Sequence, residues 1–216
     1  MKFMIDSSNI EEIKKINGYS ITNSITTNPS ILAKVDLPRH EQLVALSHVV
    51  VGDLFVQLVG ENAEEMYEDY LYLKEYLTSL NLTYVIKIPL NVEGLIVINR
   101  IKTSNPNERI LGTTVYSFHQ AVLGIHAGCD YLAPYYNRIA KGGEDPNEVL
   151  VNIRQYIEDN DYECIIVAAS LKNAKQVSDA LIYGAHTCTL SPDVIYELLD
   201  DKRVEEDFKV FNLAHK

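Results

Sequence analysis

Short runs of apolar, mostly β-branched residues alternate with amphipathic segments along the chain. Continuous apolar runs of this length are typical of strands buried on both faces of a parallel sheet. The segments between them place apolar residues three and four positions apart, which predicts helices with one buried face. The pattern predicts eight strands, at residues 2–6, 24–28, 54–59, 84–89, 109–116, 131–135, 164–170 and 187–190.

Capping residues mark several of the helix ends. Ser7 or Ser8 is expected to cap the helix after the first strand, because a hydroxyl oxygen accepts hydrogen bonds from the first free N–H groups. Asp145 followed by Pro146 predicts the start of a later helix. One further amphipathic segment, residues 203–216, lies beyond the eighth strand–helix unit and is predicted to form an additional C-terminal helix.

Eight strand–helix units in 216 residues predict an α/β protein, a single (β/α)8 TIM barrel with an extra C-terminal helix. We expect one domain, residues 1–216, because no linker or low-complexity stretch divides the chain. A doubly wound open sheet is the alternative fold. It is disfavoured because no GxGxxG motif follows the first strand.

Charge and cysteine usage narrow the classes of partner. The formal net charge of −11 argues against nucleic acids and anionic membranes as partners, so the site for any anionic ligand must be locally positive.

No stretch is long and apolar enough to span a bilayer, and Met1 leads directly into the first strand, which predicts no signal peptide. The three cysteines have no metal-ligand spacing and are expected to be buried, reduced thiols of a cytoplasmic protein without a metal.

One predicted strand, residues 84–89, carries a lysine in its apolar middle and ends in a proline. Burial disfavours the charged ammonium form of Lys87, and an uncharged amine is a nucleophile towards carbonyl groups. The alternative is that Lys87 extends to solvent from the end of the barrel or from an edge strand.

Polar residues stand at the carboxyl ends of seven of the eight predicted strands. In a (β/α)8 barrel these ends meet at one mouth, where active sites form. Polar residues at individual strand ends are common, but their presence at seven strand ends around a candidate nucleophile favours a functional site. The residues are Asp6, Thr26, Asn28, Gln57, Lys87, Thr113, Tyr135 and Ser170.

Several of these residues lie in motifs that follow one another in a recognisable order. They are IDSS at residues 5–8, ITTNPS at 25–30, VIKIP at 85–89, LGT at 111–113 and APYYNRI at 133–139. In these motifs the chain resembles the transaldolase family, in particular its short subgroup, which includes fructose-6-phosphate aldolase. The resemblance runs from the first strand into the C-terminal helix, and the second and third motifs are its most specific parts.

The resemblance implies Schiff-base chemistry without a cofactor. Lys87 would attack the ketone of the donor, and Asp6 would assist the proton transfers that form the imine. Arg138 would hold a phosphate through its forked N–H donors, together with Ser170. The implied substrate-binding positions are Thr26, Asn28, Thr113, Ala133, Arg138 and Ser170.

Two residues divide the family between its activities. Transaldolases generally carry glutamate and phenylalanine where this chain has Gln57 and Tyr135, whereas the aldolase subgroup carries glutamine and tyrosine. An amide cannot transfer a proton as a carboxylate can, so Tyr135 becomes the available donor or base. We therefore expect an aldolase that splits fructose 6-phosphate into dihydroxyacetone and glyceraldehyde 3-phosphate.

Two alternatives stay open at this stage. One is a transaldolase of the pentose phosphate pathway that transfers a dihydroxyacetone unit between sedoheptulose 7-phosphate and glyceraldehyde 3-phosphate; the other is a catalytically silent barrel that binds sugar phosphates. Short family members form pentamers and decamers, so we expect a homo-oligomer in which residues 203–216 pack on a neighbouring subunit. Ala140 and residues 117–120 depart from the family pattern and leave the shape of the acceptor pocket open.

Overall fold

The computed structural model describes residues 2–215, so Met1 and Lys216, the two ends of the predicted domain, lie outside the described residues. Eight parallel strands close into a barrel in chain order, with the last strand paired to the first. The predicted (β/α)8 barrel is confirmed, and the open-sheet alternative is wrong. The strands are β1 Phe3–Asp6, β2 Thr22–Thr26, β3 Leu54–Gln57, β4 Tyr84–Pro89, β5 Ile110–Val115, β6 Tyr131–Pro134, β7 Ile165–Ala168 and β8 Thr187–Leu190.

Helices follow every strand, and three of them are additional to the eight of a simple barrel. Short helices α2 and α7 lie directly after β2 and β6, and α11 follows the last barrel helix. The helices are α1 Ile10–Asn17, α2 Pro29–Leu32, α3 Arg39–Ser47, α4 Ala63–Ser79, α5 Val92–Ser104, α6 Phe118–His126, α7 Tyr136–Lys141, α8 Pro146–Asp159, α9 Ala174–Ile182, α10 Pro192–Leu199 and α11 Lys202–Ala214. Within residues 2–215, none of these helices is long and apolar enough to cross a bilayer.

The apolar residues form two cores, one between the strands and the helices and one inside the barrel. The inner core includes Phe55 and Tyr131, whose rings meet edge to face at 5.4 Å between centroids. Val85 belongs to it as well, and Lys87 lies two residues further along β4. Side chains two positions apart on a strand point to the same side, so Lys87 stands directly above this apolar layer.

Several predicted ends differ from the observed ones. The cap of α1 is Asn9 and not Ser7 or Ser8, because the Asn9 carboxamide oxygen accepts hydrogen bonds from the N–H groups of Glu11 and Glu12. Ser7 instead accepts from the Asn9 N–H group, which orders the turn before the helix. Five strands end earlier than predicted, and after three of them a candidate site residue lies in a loop or at a helix start: Asn28, Tyr135 and Ser170.

The C-terminal helix α11 is present, as predicted, and lies apart from both cores. None of its residues is buried. Val204, Phe208, Phe211 and Leu213 are each between 66% and 70% exposed, which is unusual for large apolar side chains on one helix.

Candidate active site

A cavity of about 410 Å³ opens at the carboxyl ends of the strands. Its lining includes every residue that the sequence nominated, although these residues come from seven strands or the segments that follow them. The barrel therefore brings the whole nominated set to one mouth. The set is Asp6, Thr26, Asn28, Gln57, Lys87, Thr113, Ala133, Tyr135, Arg138 and Ser170.

Lys87 is 5% exposed at the floor of this cavity. Its Nζ atom donates a hydrogen bond of 2.7 Å to the main-chain oxygen of Thr27. Burial lowers the pKa of Lys87 below 10.5, and the nearby Asp6 carboxylate opposes part of this effect. A carbonyl oxygen accepts from an amine as well as from an ammonium, so this contact leaves the uncharged form available as a nucleophile.

Asp6 ends β1 and is connected to two buried hydroxyl groups. Thr26 Oγ1 donates to Asp6 Oδ1 at 2.8 Å, and Thr189 Oγ1 lies 2.6 Å from Thr26 Oγ1. Thr189 was absent from the predicted set. The signal for it was the alternation of Thr187 and Thr189 with apolar residues on β8, which places one of the two hydroxyl groups near the mouth.

Tyr135 lies just past β6, at the cap of α7. Thr113 Oγ1 donates to the Tyr135 phenol oxygen at 3.1 Å, so the phenol proton itself is left to donate into the cavity. Burial raises the pKa of Tyr135 above 10.0, with a smaller contribution from Asp6. The phenol is therefore a proton donor at neutral pH, and the lowered pKa that base catalysis would need is not found.

Gln57 is the last residue of β3 and pairs in register with Lys87 on β4. Its main-chain oxygen accepts a 2.6 Å hydrogen bond from Arg39 Nη2, and Arg39 is in turn held by Asp69. The Gln57 amide thus stands on a fixed backbone beside the lysine. It can orient a ligand or a water molecule but cannot exchange a proton as a carboxylate would.

Asn28 and Ser170 reach the cavity from irregular backbone. The Asn28 carboxamide oxygen caps α2 by accepting from the Ile31 N–H group at 3.0 Å, which leaves its NH₂ group for a ligand. Ser170 has a φ of 61°, and Thr114, another lining residue, has a φ of 59°. Non-glycine residues with positive φ are strained, and here two of them lie at the mouth.

Arg138 on α7 supplies positive charge without an acidic partner. Its guanidinium carbon lies 4.9 Å from the centre of the Tyr135 ring, and Nη1 donates to Tyr116 Oη at 3.3 Å. Within residues 2–215 no carboxylate lies within ion-pair distance of it. The other five arginines are each paired with a carboxylate: Arg39, Arg100, Arg109, Arg154 and Arg203.

Two further cations that the sequence reading missed, Lys34 and Lys172, also line the cavity. Asp6 is the one carboxylate among the lining residues. The mouth therefore carries more cationic than anionic side chains, although the net charge of the chain is −11. This is expected for a site that binds an anion.

The family resemblance was tested by comparison with known proteins. A family model described as transaldolase/fructose-6-phosphate aldolase matches residues 3–215. A protein of Halalkalibacterium halodurans named probable transaldolase is 31% identical over 98% of this chain and 99% of its own length. A protein of the same name from Geobacillus sp. (strain WCH70) is 29% identical over 98% of this chain and 96% of its own. The chain therefore belongs to the transaldolase/fructose-6-phosphate aldolase family.

Proposed function

We propose that this chain makes and breaks a carbon–carbon bond of ketose phosphates through an imine on Lys87. The observation that carries the proposal is a buried amine of lowered pKa, beside Asp6, on the floor of a polar cavity. The Lys87 nitrogen would attack the ketone carbon of the donor. Asp6 would move the protons needed for the resulting carbinolamine to lose water and become the imine.

The imine makes the next step possible because it accepts electrons. The bond between C3 and C4 of the sugar breaks as the Asp6 carboxylate takes the proton of the C4 hydroxyl, and the bonding pair moves into the iminium to give an enamine. The C4 fragment leaves as an aldehyde phosphate. Arg138 on α7 borders the cavity together with Ser170 and Lys172 in the loop after β7, and these side chains suit the phosphate of that aldehyde.

Transfer of the enamine to a second aldehyde is the fate that the relatives support. Both of the relatives described above carry the name probable transaldolase. In this version the enamine attacks an acceptor aldehyde phosphate, the new ketose is hydrolysed from Lys87, and no free three-carbon ketone forms. These names agree with the alternative stated from the sequence and not with its main expectation.

Release of free dihydroxyacetone is a second candidate, favoured by the pair Gln57 and Tyr135. The enamine must gain a proton on carbon before hydrolysis can release it. The raised pKa of Tyr135 and the hydrogen bond from Thr113 leave a phenol proton available for that step. Fructose 6-phosphate would then be split to dihydroxyacetone and glyceraldehyde 3-phosphate.

Reductive trapping tests the shared imine step. Borohydride added with dihydroxyacetone should fix one ketone-derived adduct per chain, and peptide mass spectrometry should place it on Lys87. Lys87→Met should abolish the adduct, whereas Lys172→Met, which alters an exposed lysine of the same cavity, should keep it. An unmodified Lys87 in the parent protein would leave only a silent barrel that binds sugar phosphates.

Acceptor dependence separates the two fates of the enamine. The protein is incubated with fructose 6-phosphate in the presence and absence of erythrose 4-phosphate, and free dihydroxyacetone is measured. If the three-carbon unit appears only in a new ketose phosphate, and only when the acceptor is present, the reaction is transfer. Release of dihydroxyacetone at a similar rate without acceptor assigns cleavage.

We also propose that the apolar face of α11 packs on a second copy of this chain. The large exposed fractions of Phe208 and Phe211 support a partner for this face. Light scattering should give a pentamer or decamer for the full chain, and Phe208→Lys with Phe211→Lys should yield smaller species. A monomeric parent protein would contradict the proposal.

The state of the cysteines supports a reducing, cytoplasmic location as part of this proposal. Cys129, Cys164 and Cys188 are all buried and free. Burial raises the pKa of Cys164 and of Cys188 to about 12, so neither is a reactive thiolate at neutral pH.

A further inference from the structure

Two threonines connect the last strand of the barrel to the carboxylate at the end of the first. Thr189 on β8 is 6% exposed and Thr26 on β2 is 1% exposed. Their Oγ1 atoms lie 2.6 Å apart, and Thr26 Oγ1 lies 2.8 Å from Asp6 Oδ1. The two contacts form an unbroken chain of hydroxyl groups that ends at Asp6.

The donor and acceptor of each hydrogen bond in this series of hydroxyl groups follow from the number of protons available. An ionised carboxylate only accepts hydrogen bonds, so the Thr26 hydroxyl uses its single proton to donate to Asp6. Thr26 Oγ1 can then act only as an acceptor towards Thr189, which must donate. Within residues 2–215, Thr26 is the only side chain that hydrogen-bonds Asp6, so the orientation of its hydroxyl decides how well the carboxylate is held.

We propose that Thr189 is a positioning residue: it fixes the Thr26 hydroxyl towards Asp6 and so favours the ionised carboxylate. A donor that itself accepts a hydrogen bond is a stronger donor, because the bonds polarise one another. When Asp6 takes a proton, both hydroxyl groups can rotate, so that Asp6 donates to Thr26 and Thr26 donates to Thr189. No heavy atom has to move for this reversal, and its catalytic use rests on the proton-transfer role proposed above for Asp6.

The position of Thr189 is set by the closure of the barrel. Thr189 pairs in register with Met4 on β1, two residues before Asp6. The hydroxyl chain therefore stands on three hydrogen-bonded strands, β8, β1 and β2, and not on mobile loops. The other titratable groups that act on Asp6 are Lys87 from β4 and Tyr135 from the end of β6.

The test removes one hydroxyl while keeping the shape of the side chain. Thr189→Val should displace the ¹³C NMR signal of the Asp6 carboxyl carbon in the unliganded protein at a fixed neutral pH, because Thr26 loses the donor that orients its hydroxyl group. Turnover should fall about tenfold with the KM for the donor unchanged. Thr189→Ser should restore both values, because it returns the hydroxyl.

Thr187→Val is the matched control on the same strand. The Thr187 hydroxyl donates to the main-chain oxygen of Lys2, away from the mouth, so its loss should leave the Asp6 carboxyl signal and turnover unchanged. An Asp6 carboxyl signal that is the same in Thr189→Val and the parent would overturn the inference. Because this signal does not depend on catalysis, failure of imine trapping would overturn the proposed function alone.

Discussion

Arg109 and Arg138 stand at opposite ends of the barrel and differ in what their charge contacts. Arg109 precedes β5 and binds both carboxylate oxygens of Asp53, at 2.8 and 2.9 Å, as well as the main-chain oxygen of Tyr84. Arg138 follows β6, and the partners of its guanidinium within residues 2–215 are two aromatic side chains, Tyr116 and Tyr135. Arg109 is thus paired within the fold, whereas Arg138, in the proposed site, has no carboxylate partner there and suits a ligand phosphate, in agreement with the usual division between the two ends of such a barrel.

Lys102 and Lys87 differ in their contacts in the same way as the two arginines. Lys102, at the Arg109 end, donates to Asp130 at 3.0 Å and to the main-chain oxygen of Glu108 at 2.7 Å, which suits a charged ammonium. Lys87, at the mouth, is buried and donates only to one main-chain oxygen. Lys102 is thus paired with a carboxylate, whereas Lys87 has none within ion-pair distance in residues 2–215, which suits the proposed imine chemistry.

The largest expected effect comes from exchanging the two arginines for leucine. Arg138→Leu should raise the KM for a phosphorylated acceptor about 100-fold, because charge-assisted hydrogen bonds to phosphate are lost, and should leave the free energy of unfolding nearly unchanged. Arg109→Leu should keep both kinetic constants and lower the free energy of unfolding by about 1–2 kcal/mol, since the pair is partly exposed.

Steady-state kinetics with phosphorylated and unphosphorylated acceptors measure the KM values of both variants. Urea unfolding measures their free energies of unfolding. The KM for the unphosphorylated acceptor serves as the internal control, because it should not change in Arg138→Leu. Equal losses of stability in the two variants would contradict the division between the ends.

A smaller effect is expected at Tyr135. Tyr135→Phe removes the phenol proton and keeps the ring beneath Arg138, so protonation of the enamine should slow about tenfold. The ratio of transfer to free dihydroxyacetone release should rise by the same factor, measured as product yields at fixed acceptor concentration. Tyr116→Phe, which removes the hydroxyl group that accepts from Arg138 and keeps the ring against Tyr135, is the matched control and should leave this ratio unchanged.

The smallest effect concerns the stability cost of the buried amine. Because the pKa of Lys87 is lowered in the folded state, the folded chain binds the ammonium proton less tightly than the unfolded chain does. This destabilises the parent protein at neutral pH and ceases to do so as the pH rises towards 10.5. Lys87→Met should therefore melt at a higher temperature than the parent near pH 7, and the gain should shrink towards pH 10. A constant gain would contradict a lowered pKa.

The sequence predicts the fold and most of the site because the two signals are local. Buried strands appear as apolar runs, and polar residues at their ends indicate the mouth. Asn28, Tyr135 and Ser170 were nominated correctly as neighbours even though their strands end earlier than predicted, since the next residues of the chain still cross the same mouth.

The residues that were missed depend on relations between distant parts of the chain. Thr189 looks like an ordinary strand residue, and only the closure of β8 on β1 brings it to Thr26, 163 positions away. Lys34 and Lys172 are exposed lysines without a motif, and their role at the mouth depends on how the loops pack. The hydrogen bond that fixes Tyr135 likewise joins β5 to the segment that follows β6.

Closure of β8 on β1 also bears on how the protein is made. A growing or partly unfolded chain presents Lys87 to water, where its amine is almost entirely protonated at neutral pH. Because β8 is the last strand and pairs with β1, the ring that buries Lys87 is complete only when the C-terminal part of the chain is in place. On the proposal that Lys87 forms the imine, a chain that ends before β8 should therefore react with ketones no faster than an ordinary exposed lysine.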